Sequence, residues 1–425
     1  MKIEHIRGRQ VFDSRGNPTI EVDVQLDSGA KGRAIVPSGA SVGVHEAIEI
    51  RDNNPGKFLG RSVYRAVDNV NNILNGKLKG FNANSQRELD QFMIEIDGTE
   101  HKSSIGANAI LGVSLATAQA MANGLNIPLY SYLGGANANV LPMPMIQMIG
   151  GGIHAGNATE VQDFLIIPVS ATTFSEAMEI AFNVYNSTKK IFQDRKIPVA
   201  VSDEGGFWPQ FDSNETPLSL LTKAIESAGY IPLKDVSIAL DIASSHFYSD
   251  GIYKLSSEQK EMNASQFIDL QENWIKKYPI ISLEDSCAED DWASWAQLTS
   301  RLGNKVQLIG DDLFTTDIKR IRKGVENKVG NAVLIKMNQI GTLTETLDAI
   351  DITRKAGYRP VISARSGETE DTTMVHLCVA TNAGQIKVGS MARSERLAKY
   401  NELLRIEEDL GARGSFANPF KSGFL

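Results

Sequence analysis

The sequence predicts an α/β protein in which a closed βα barrel follows a smaller α+β domain. Two observations lead to this prediction. Polar and apolar residues alternate near the N-terminus before a helical pattern begins, and beyond Gly135 short apolar runs recur between helical segments. The chain has 425 residues, and single hydrophobic cores stop growing near roughly 250 to 300 residues, so two domains are expected. We place the N-terminal domain at residues 1–134 and the barrel domain at residues 135–425.

The N-terminal region has the pattern of an antiparallel meander followed by helices. Apolar residues alternate over residues 19–26, a turn follows at residues 27–29, and a second run covers residues 32–36. Helical spacing of apolar residues then appears over residues 63–78 and 108–123. This combination predicts an α+β domain of a size that folds as a separate unit.

The remainder of the chain alternates short apolar runs with helical segments, which is the pattern of a parallel sheet. At least seven such runs without a sequence repeat favour a closed barrel over an open doubly wound sheet, although the count alone is compatible with both. The runs lie at residues 164–169, 238–243, 280–283, 306–309, 332–335, 361–363 and 385–388.

Composition excludes several classes of partner. The formal net charge is -8, which argues against a general surface for nucleic acid or anionic lipid, because phosphates are held by clustered Lys and Arg. The two cysteines, Cys287 and Cys378, fit free thiols in a reducing compartment better than a disulfide. The N-terminus lacks the apolar segment of a signal peptide, and no window approaches the ~20 apolar residues of a membrane span. We therefore expect a cytoplasmic protein that binds neither nucleic acid nor membranes.

Charged residues lie in or directly after every apolar run of the predicted barrel except the first. They are separated by 22 to 43 residues, which suits successive βα units, and a barrel gathers the carboxyl ends of its strands around one point. In chain order they are Asp241, Glu284, Asp311, Lys336, Arg365 and Lys387.

The three acids of this set suggest a metal site. Asp241, Glu284 and Asp311 would supply hard oxygen ligands of the kind that Mg²⁺ prefers. Alternatively, each acid caps the following helix or pairs with an arginine. The metal interpretation is favoured because three acids recur at consecutive units.

The cationic residues of the set suggest a base and an anion pocket. Lys336 follows a buried run and would serve as a general base if burial lowered its pKa, or as a structural partner of one of the acids. Arg365, Ser366 and Lys387 fit an anion pocket, although solvated charges at strand ends would look the same. Together with a metal site they indicate an acidic, phosphorylated substrate.

Three glycine-containing segments carry further possibilities. Asp203 and Glu204 follow the apolar residues 199–201 at a predicted strand end, where Glu204 would act as a general acid opposite Lys336 or form only a turn. Residues 37–46 would fold as a mobile lid. Residues 150–157 match a dinucleotide-binding motif loosely, but a strand-like run follows them instead of a helix, so we reject that interpretation.

The motifs that carry this chemistry are similar to those of one known family, the enolases, over essentially the whole chain. They are SGASVG, GGIHAGN, SDEGGF, ALDIASS, SLEDSCAEDDW, GDDLF, LIKMNQIGTLTE, SARSGETEDT and IKVGSMARSERLAKYNELLRIEE. The resemblance implies an enolase-type TIM-like α/β barrel with a smaller N-terminal α+β domain. It also implies a homodimer or higher homo-oligomer, and a Mg²⁺-dependent lyase that converts 2-phosphoglycerate to phosphoenolpyruvate in glycolysis.

The resemblance also implies a role for each matching residue. Lys336 would remove the proton alpha to the carboxylate, and Glu204, with Asp163 as its partner, would protonate the departing hydroxyl. The remaining matches are Asp241, Glu284 and Asp311 for the first Mg²⁺, Ser41 for the second Mg²⁺ and the phosphate, Arg365 and Ser366 for the phosphate, Lys387 for the substrate carboxylate, and His154 on a loop that closes over the site.

Several positions near this chemistry depart from the family pattern. Ala364 replaces a histidine, Asp163 replaces a glutamate and His246 replaces an acid, while the remaining departures are Ser202, Trp208 and Val42. Three hypotheses follow: ordinary enolase activity, a diverged enzyme similar to the carboxyphosphonoenolpyruvate synthases of phosphonate biosynthesis, and a non-catalytic relative. Ordinary enolase activity is the primary prediction, because all the reacting groups are present.

Overall fold

The structure is a computed structural model that describes residues 1–39, 43–157 and 159–421. Its N-terminal part contains an antiparallel sheet of three strands in the order β1-β2-β3. The strands are β1 (Ile3–Phe12), β2 (Pro18–Leu26) and β3 (Lys31–Ile35). The helices are α1 (Tyr64–Asp68), α2 (Asn75–Leu78), α3 (Gln86–Asp97), α4 (Ala107–Leu125) and α5 (Leu129–Gly134), with a π-helical turn (Asn69–Leu74) between α1 and α2.

Helix α4 packs directly on β3 because glycine allows the two backbones to approach closely. A Cβ atom at Gly32 would lie 2.1 Å from the carbonyl oxygen of Ala116. The helix carries mostly apolar residues around its circumference, so it is buried on almost every side. The predicted strands at residues 19–26 and 32–36 and both predicted helices are confirmed, but the first helix is interrupted by the π-helical turn.

The second part of the chain forms a closed eight-stranded barrel in the order β11-β12-β13-β14-β15-β5-β6-β7. Its strands are β5 (Met143–Gly150), β6 (Asp163–Ile167), β7 (Ser237–Asp241), β11 (Ile280–Glu284), β12 (Gln307–Gly310), β13 (Ala332–Ile335), β14 (Arg359–Ser363) and β15 (Gln385–Gly389). Short strands outside the barrel are β4 (Val140–Leu141), β8 (Tyr248–Ser249), β9 (Ile252–Leu255), β10 (Lys260–Asn263) and β16 (Ser415–Phe416).

Helices surround the barrel and connect its strands. They are α6 (Phe174–Asp194), α7 (Glu215–Ser227), α8 (Ala264–Lys277), α9 (Trp292–Leu302), α10 (Ile318–Glu326), α11 (Met337–Ile340), α12 (Leu343–Lys355), α13 (Thr373–Ala380) and α14 (Ser394–Leu410). Among the described helices, none is both long enough and apolar enough to cross a membrane. The predicted closed barrel is thus confirmed.

Besides strand β5, which was not predicted, two details of the barrel differ from the sequence prediction. Strand β6 pairs antiparallel with both β5 and β7, so the sheet is not uniformly parallel. Residues 199–201 do not form a strand, since Val201 makes only an isolated bridge to Phe207. The reversal of β6 places its first residue, Asp163, beside Asp241 at the carboxyl end of β7.

Candidate active site

Three buried carboxylates lie side by side at the mouth of the barrel. Asp241 and Glu284 end strands β7 and β11 and are paired in register, while Asp163 is the register partner of Asp241 on the other side. The Nζ atom of Lys387, from β15, donates to Asp241 Oδ2 at 2.6 Å and lies 2.9 Å from each carboxylate oxygen of Glu284. It lies 3.6 Å from Asp163 Oδ2. One ammonium group is thus shared by three acids.

Burial and mutual repulsion disturb the ionisation of these groups. Burial raises the pKa of Glu284 well above its ordinary value, and the negative charge of Asp241 adds to the shift. The pKa of Asp163 is raised by burial and by the charge of Glu204. For Lys387, burial lowers the pKa, but the surrounding carboxylates outweigh this effect and hold it well above its ordinary value. The site therefore attracts positive charge.

Lys336 directly follows β13 and faces the same region. Its ammonium group donates to Asp311 Oδ2, and Asp311 Oδ1 accepts a hydrogen bond of 2.8 Å from Gln339. Burial lowers the pKa of Lys336, but the charges of Asp311 and Glu284 together outweigh it and the net shift is upward. Of the two interpretations of Lys336, the structure contains the pairing with an acid, and the lowered pKa expected of a base is absent.

A second group of acids lies next to Asp311. One carboxylate oxygen from each of Asp285, Asp311 and Asp312 lies within 4.8 Å of the others. Asp285 accepts hydrogen bonds from the backbone N–H groups of Asp311 at 2.8 Å and Asp312 at 2.9 Å, so it fixes the turn after β12. Burial and the charge of Asp311 raise the pKa of Asp312 to about 8. The sequence analysis assigned no site role to Asp285 or Asp312, although each is the second member of an acidic doublet.

Arg365 lies on the opposite side of the mouth, after β14. Its guanidinium group donates to Glu46 of the N-terminal part at 2.9 and 3.2 Å and to Asn338 at 2.9 Å. Ser366 follows it and lines the same cavity. The N-terminal part therefore holds this arginine in place and contributes to the wall of the site.

Glu204 reaches the mouth from a turn. Gly205 has a φ of +91°, and a Cβ atom there would lie 2.5 Å from the carbonyl oxygen of Ala392, so the turn requires glycine. Gly206 donates its N–H to Gln147 Oε1 at 2.8 Å, and the Gln147 amide donates to Asp163. Gln147 was missed by sequence reasoning because its strand, β5, was not predicted.

One small cavity of about 30 Å³ brings most of the predicted site residues together. Glu284 is not among the lining residues, but it accepts a hydrogen bond from Lys387, which is. Ser41 lies outside the described residues. For His154 the structure describes only the backbone, which lies in a short helical turn (Ile153–Ala155). The lining residues predicted from the sequence are Asp163, Glu204, Asp241, Asp311, Lys336, Arg365, Ser366 and Lys387.

The charges of this cavity fit a bound cation. Six lining residues are acids and three are cations, and Glu284, bonded to the lining residue Lys387, adds a further acid. Oxygen ligands in this excess are the donor set of Mg²⁺ and similar hard cations. An α/β barrel with a lysine, a glutamate and excess carboxylates at its mouth defines the class: a metal-dependent enzyme that moves protons on an anionic substrate.

Comparison with known proteins identifies the family. Residues 3–133 match the family model for the enolase N-terminal domain, and residues 138–421 match that for the enolase C-terminal TIM barrel domain. The protein named Enolase 1 from Desulfitobacterium hafniense (strain Y51) is 56% identical over 418 residues, which cover 98% of this chain and 95% of that protein. The chain belongs to the enolase family.

This assignment decides between the three hypotheses. It supports enolase function and does not favour the diverged or the non-catalytic alternative. It also implies a metal cofactor and a small phosphorylated substrate.

Proposed function

We propose that this protein is a phosphopyruvate hydratase, a carbon–oxygen lyase that removes water from 2-phosphoglycerate to give phosphoenolpyruvate. The observation that carries the proposal is the single cavity lined by Lys336, Glu204 and an excess of carboxylates, with Arg365 across the mouth. A base, an acid and an anion-binding group are the parts that this elimination needs.

The elimination needs two proton transfers, and a different side chain carries out each of them. Lys336 Nζ takes the proton from C2, next to the substrate carboxylate, and Glu204 protonates the hydroxyl that leaves C3. The C2–H and C3–O bonds break, a C2=C3 double bond forms and water departs. Lys336 must be neutral to act as a base, and neutralising the charge of Asp311 would remove the largest of the effects that now raise its pKa.

The other side chains hold the metal and the substrate. Asp241, Glu284 and Asp311 would hold one Mg²⁺, and Ser41 would bind a second. When bound, Mg²⁺ supplies positive charge that stabilises the carbanion-like electron density next to the substrate carboxylate. Lys387 would bind that carboxylate and Asp163 would position Glu204, while His154, Arg365 and Ser366 would bind the remaining substrate groups.

Membership of the enolase family also supports proposals about the domain division, the oligomeric state, the location and the pathway of the protein. We propose that the chain divides at residues 1–134 and 135–425, which the separate family matches at residues 3–133 and 138–421 support. We also propose a cytoplasmic homodimer that acts in glycolysis, as is usual for enolases.

The test is the rise in ultraviolet absorbance as phosphoenolpyruvate forms from 2-phosphoglycerate with Mg²⁺. Lys336→Ala should lose about 10²- to 10⁴-fold in rate, the range typical of general acid–base groups, and Glu204→Gln should lose a similar factor. Lys355→Ala, in an exposed ion pair with Asp351, is the matched control and should retain full activity. A wild-type rate no greater than that of Lys336→Ala would overturn the proposal.

A further inference from the structure

A separate cavity of about 570 Å³, which we call the lower cavity, lies at the end of the barrel opposite the active site. It is lined by Ser237 and Ile281, which lie at or near the starts of β7 and β11, whereas Asp241 and Glu284 end these strands at the mouth. Val169 also lines it, because the reversed direction of β6 brings the carboxyl end of that strand to the same place. Small-molecule sites typically have volumes of about 300 to 1,000 Å³, so the lower cavity is large enough for a ligand.

The hydroxyl group of Ser237 is a free hydrogen-bonding group inside the barrel. Side chains alternate along a strand, so Ser237 lies on the same face of β7 as Asp241, which lines the active-site cavity. The side chain is fully buried, and its Oγ atom has no hydrogen-bond partner among the described residues. A buried hydroxyl without a partner is unfavourable, so a ligand that bonds to it gains free energy.

The segment at residues 416–421 forms an aromatic wall of the lower cavity and is held in place by polar contacts. Asn418 Nδ2 donates to the carbonyl oxygen of Val169 at 2.7 Å, and Asn418 Oδ1 accepts a hydrogen bond of 3.2 Å from the N–H of Phe420. The guanidinium carbon of Arg359 lies 5.7 Å from the centre of the Phe420 ring. Pairing of β16 with β4 fixes Phe416. The two rings thus offer a formed surface for an aromatic ligand.

The charge of the lower cavity is opposite to that of the active site. Its charged lining residues are both lysines, Lys234 and Lys421, and both are exposed, so they lie at the outer end of the cavity. Within residues 1–39, 43–157 and 159–421, neither ammonium group has a partner. The chain as a whole has a net charge of -8, so this cavity is a local exception that attracts an anion.

We infer that the lower cavity binds a small aromatic carboxylate that carries a hydroxyl group at the end away from its acid. The carboxylate pairs with Lys234 and Lys421 at the outer end, the ring packs against Phe416 and Phe420, and the hydroxyl group bonds to Ser237 at the inner end. The site goes beyond the proposed function and does not depend on it, because none of the proposed catalytic or metal-binding residues lines this cavity.

Isothermal titration calorimetry of the full-length protein with 4-(4-hydroxyphenyl)butanoate tests this inference. 4-Phenylbutanoate lacks the hydroxyl group and should bind with a Kd about three- to tenfold higher. Ser237→Ala should weaken binding of the hydroxylated compound by the same factor and remove the difference between the two compounds. Because the Ser237 hydroxyl has no partner in the described protein, this variant should melt at the wild-type temperature or above.

Two matched controls separate the lower cavity from other sites. Ser286→Ala removes another buried hydroxyl that has no partner among the described residues, but beyond the carboxyl end of β11, and should keep the difference between the compounds. Lys234→Glu/Lys421→Glu should raise the Kd of the hydroxylated compound about tenfold. Lys77→Glu/Lys79→Glu changes the net charge equally on the exposed surface of the N-terminal part and should leave the Kd unchanged.

Three results would overturn the inference. The first is no heat of binding in the wild type, and the second is a Kd that Ser237→Ala leaves unchanged. The third concerns the chain itself, because Lys421 lines the cavity and residues 422–425 lie beyond the described part. Binding that is seen only in Phe424→Ala/Leu425→Ala would show that these side chains, and not a small carboxylate, occupy the cavity.

Discussion

Lys387 lies 2.9 Å from both carboxylate oxygens of Glu284, and neither side chain has appreciable contact with solvent. Removing one partner of a buried ion pair leaves an uncompensated charge. Lys387→Met should therefore lower the free energy of unfolding in EDTA by about 3 to 5 kcal/mol. Urea unfolding followed by circular dichroism measures this change.

The control for this prediction is Lys355→Met, which breaks an exposed pair with Asp351. Exposed pairs contribute about 1 kcal/mol or less, so the control should change the stability little. An equal loss in the two variants would show that Lys387 does not act as the counter-charge of the buried acids.

Mg²⁺ should stabilise the folded protein through Asp241 and its neighbours. A ligand that binds only the folded state at about 100 times its Kd adds about 2.7 kcal/mol to the free energy of unfolding. The wild-type melting temperature should thus rise with Mg²⁺ and fall again with EDTA. Asp241→Asn should lose most of this response, whereas Asp351→Asn should retain it; an undiminished response in Asp241→Asn would place the metal elsewhere.

Glu402 should make the stability depend on pH in the acidic range. A hydrogen bond from His376, followed by one from Arg405, lowers the pKa of Glu402 to about 2. Because the folded pKa lies below the unfolded value near 4.3, the contribution is complete above that value and is lost as the pH falls toward 2. Solvent screens this partly exposed carboxylate, so we expect about 1 kcal/mol.

Urea unfolding of wild type and Glu402→Gln at pH 6 and pH 3 measures this contribution. The deficit of the variant should shrink at the lower pH. Glu88→Gln, on the exposed surface of α3, should show no such change, and a deficit in Glu402→Gln that is equal at both pH values would contradict the assignment.

Two positions near the catalytic groups depart from the family pattern, and restoring the family residues there tests whether these departures affect the choice of substrate. Ala364 lines the cavity next to Arg365, and Asp163 has one methylene fewer than the usual glutamate. The double variant Ala364→His/Asp163→Glu should raise kcat/KM for 2-phosphoglycerate about tenfold or more, because the pocket gains a hydrogen-bonding imidazole and a longer carboxylate beside Glu204. Unchanged kinetics would show that these two departures do not determine the preferred substrate.

The sequence was sufficient to predict the residues at the ends of the parallel strands. Asp241, Glu284, Asp311, Lys336 and Lys387 each lie in or follow an apolar run, and a barrel brings such positions together. The fold class and the sharing of one cavity by most site residues followed from this regularity, whereas barrel closure was only favoured by it and was implied by the resemblance to enolases.

Other features depend on contacts that no local pattern encodes. Strand β5 (Met143–Gly150) was missed because Pro142 and Pro144 weaken the strand pattern, since proline cannot donate a ladder hydrogen bond. The raised pKa of Lys336 depends on its contact with Asp311, and the structural role of Asp285 depends on two backbone N–H groups. Neither relationship can be read from spacing.

The reversed direction of β6 has a consequence for engineering the barrel. Because β5 and β6 form a hairpin, with Gly150 paired to Asp163, both ends of the segment between them are attached at the same rim. A loop that joins a barrel strand to an outer helix is more constrained, because a change in its length would shift that helix relative to the helices around it. Changes in loop length between β5 and β6 therefore leave the outer helices in register, and their effect falls on the rim segment that carries His154.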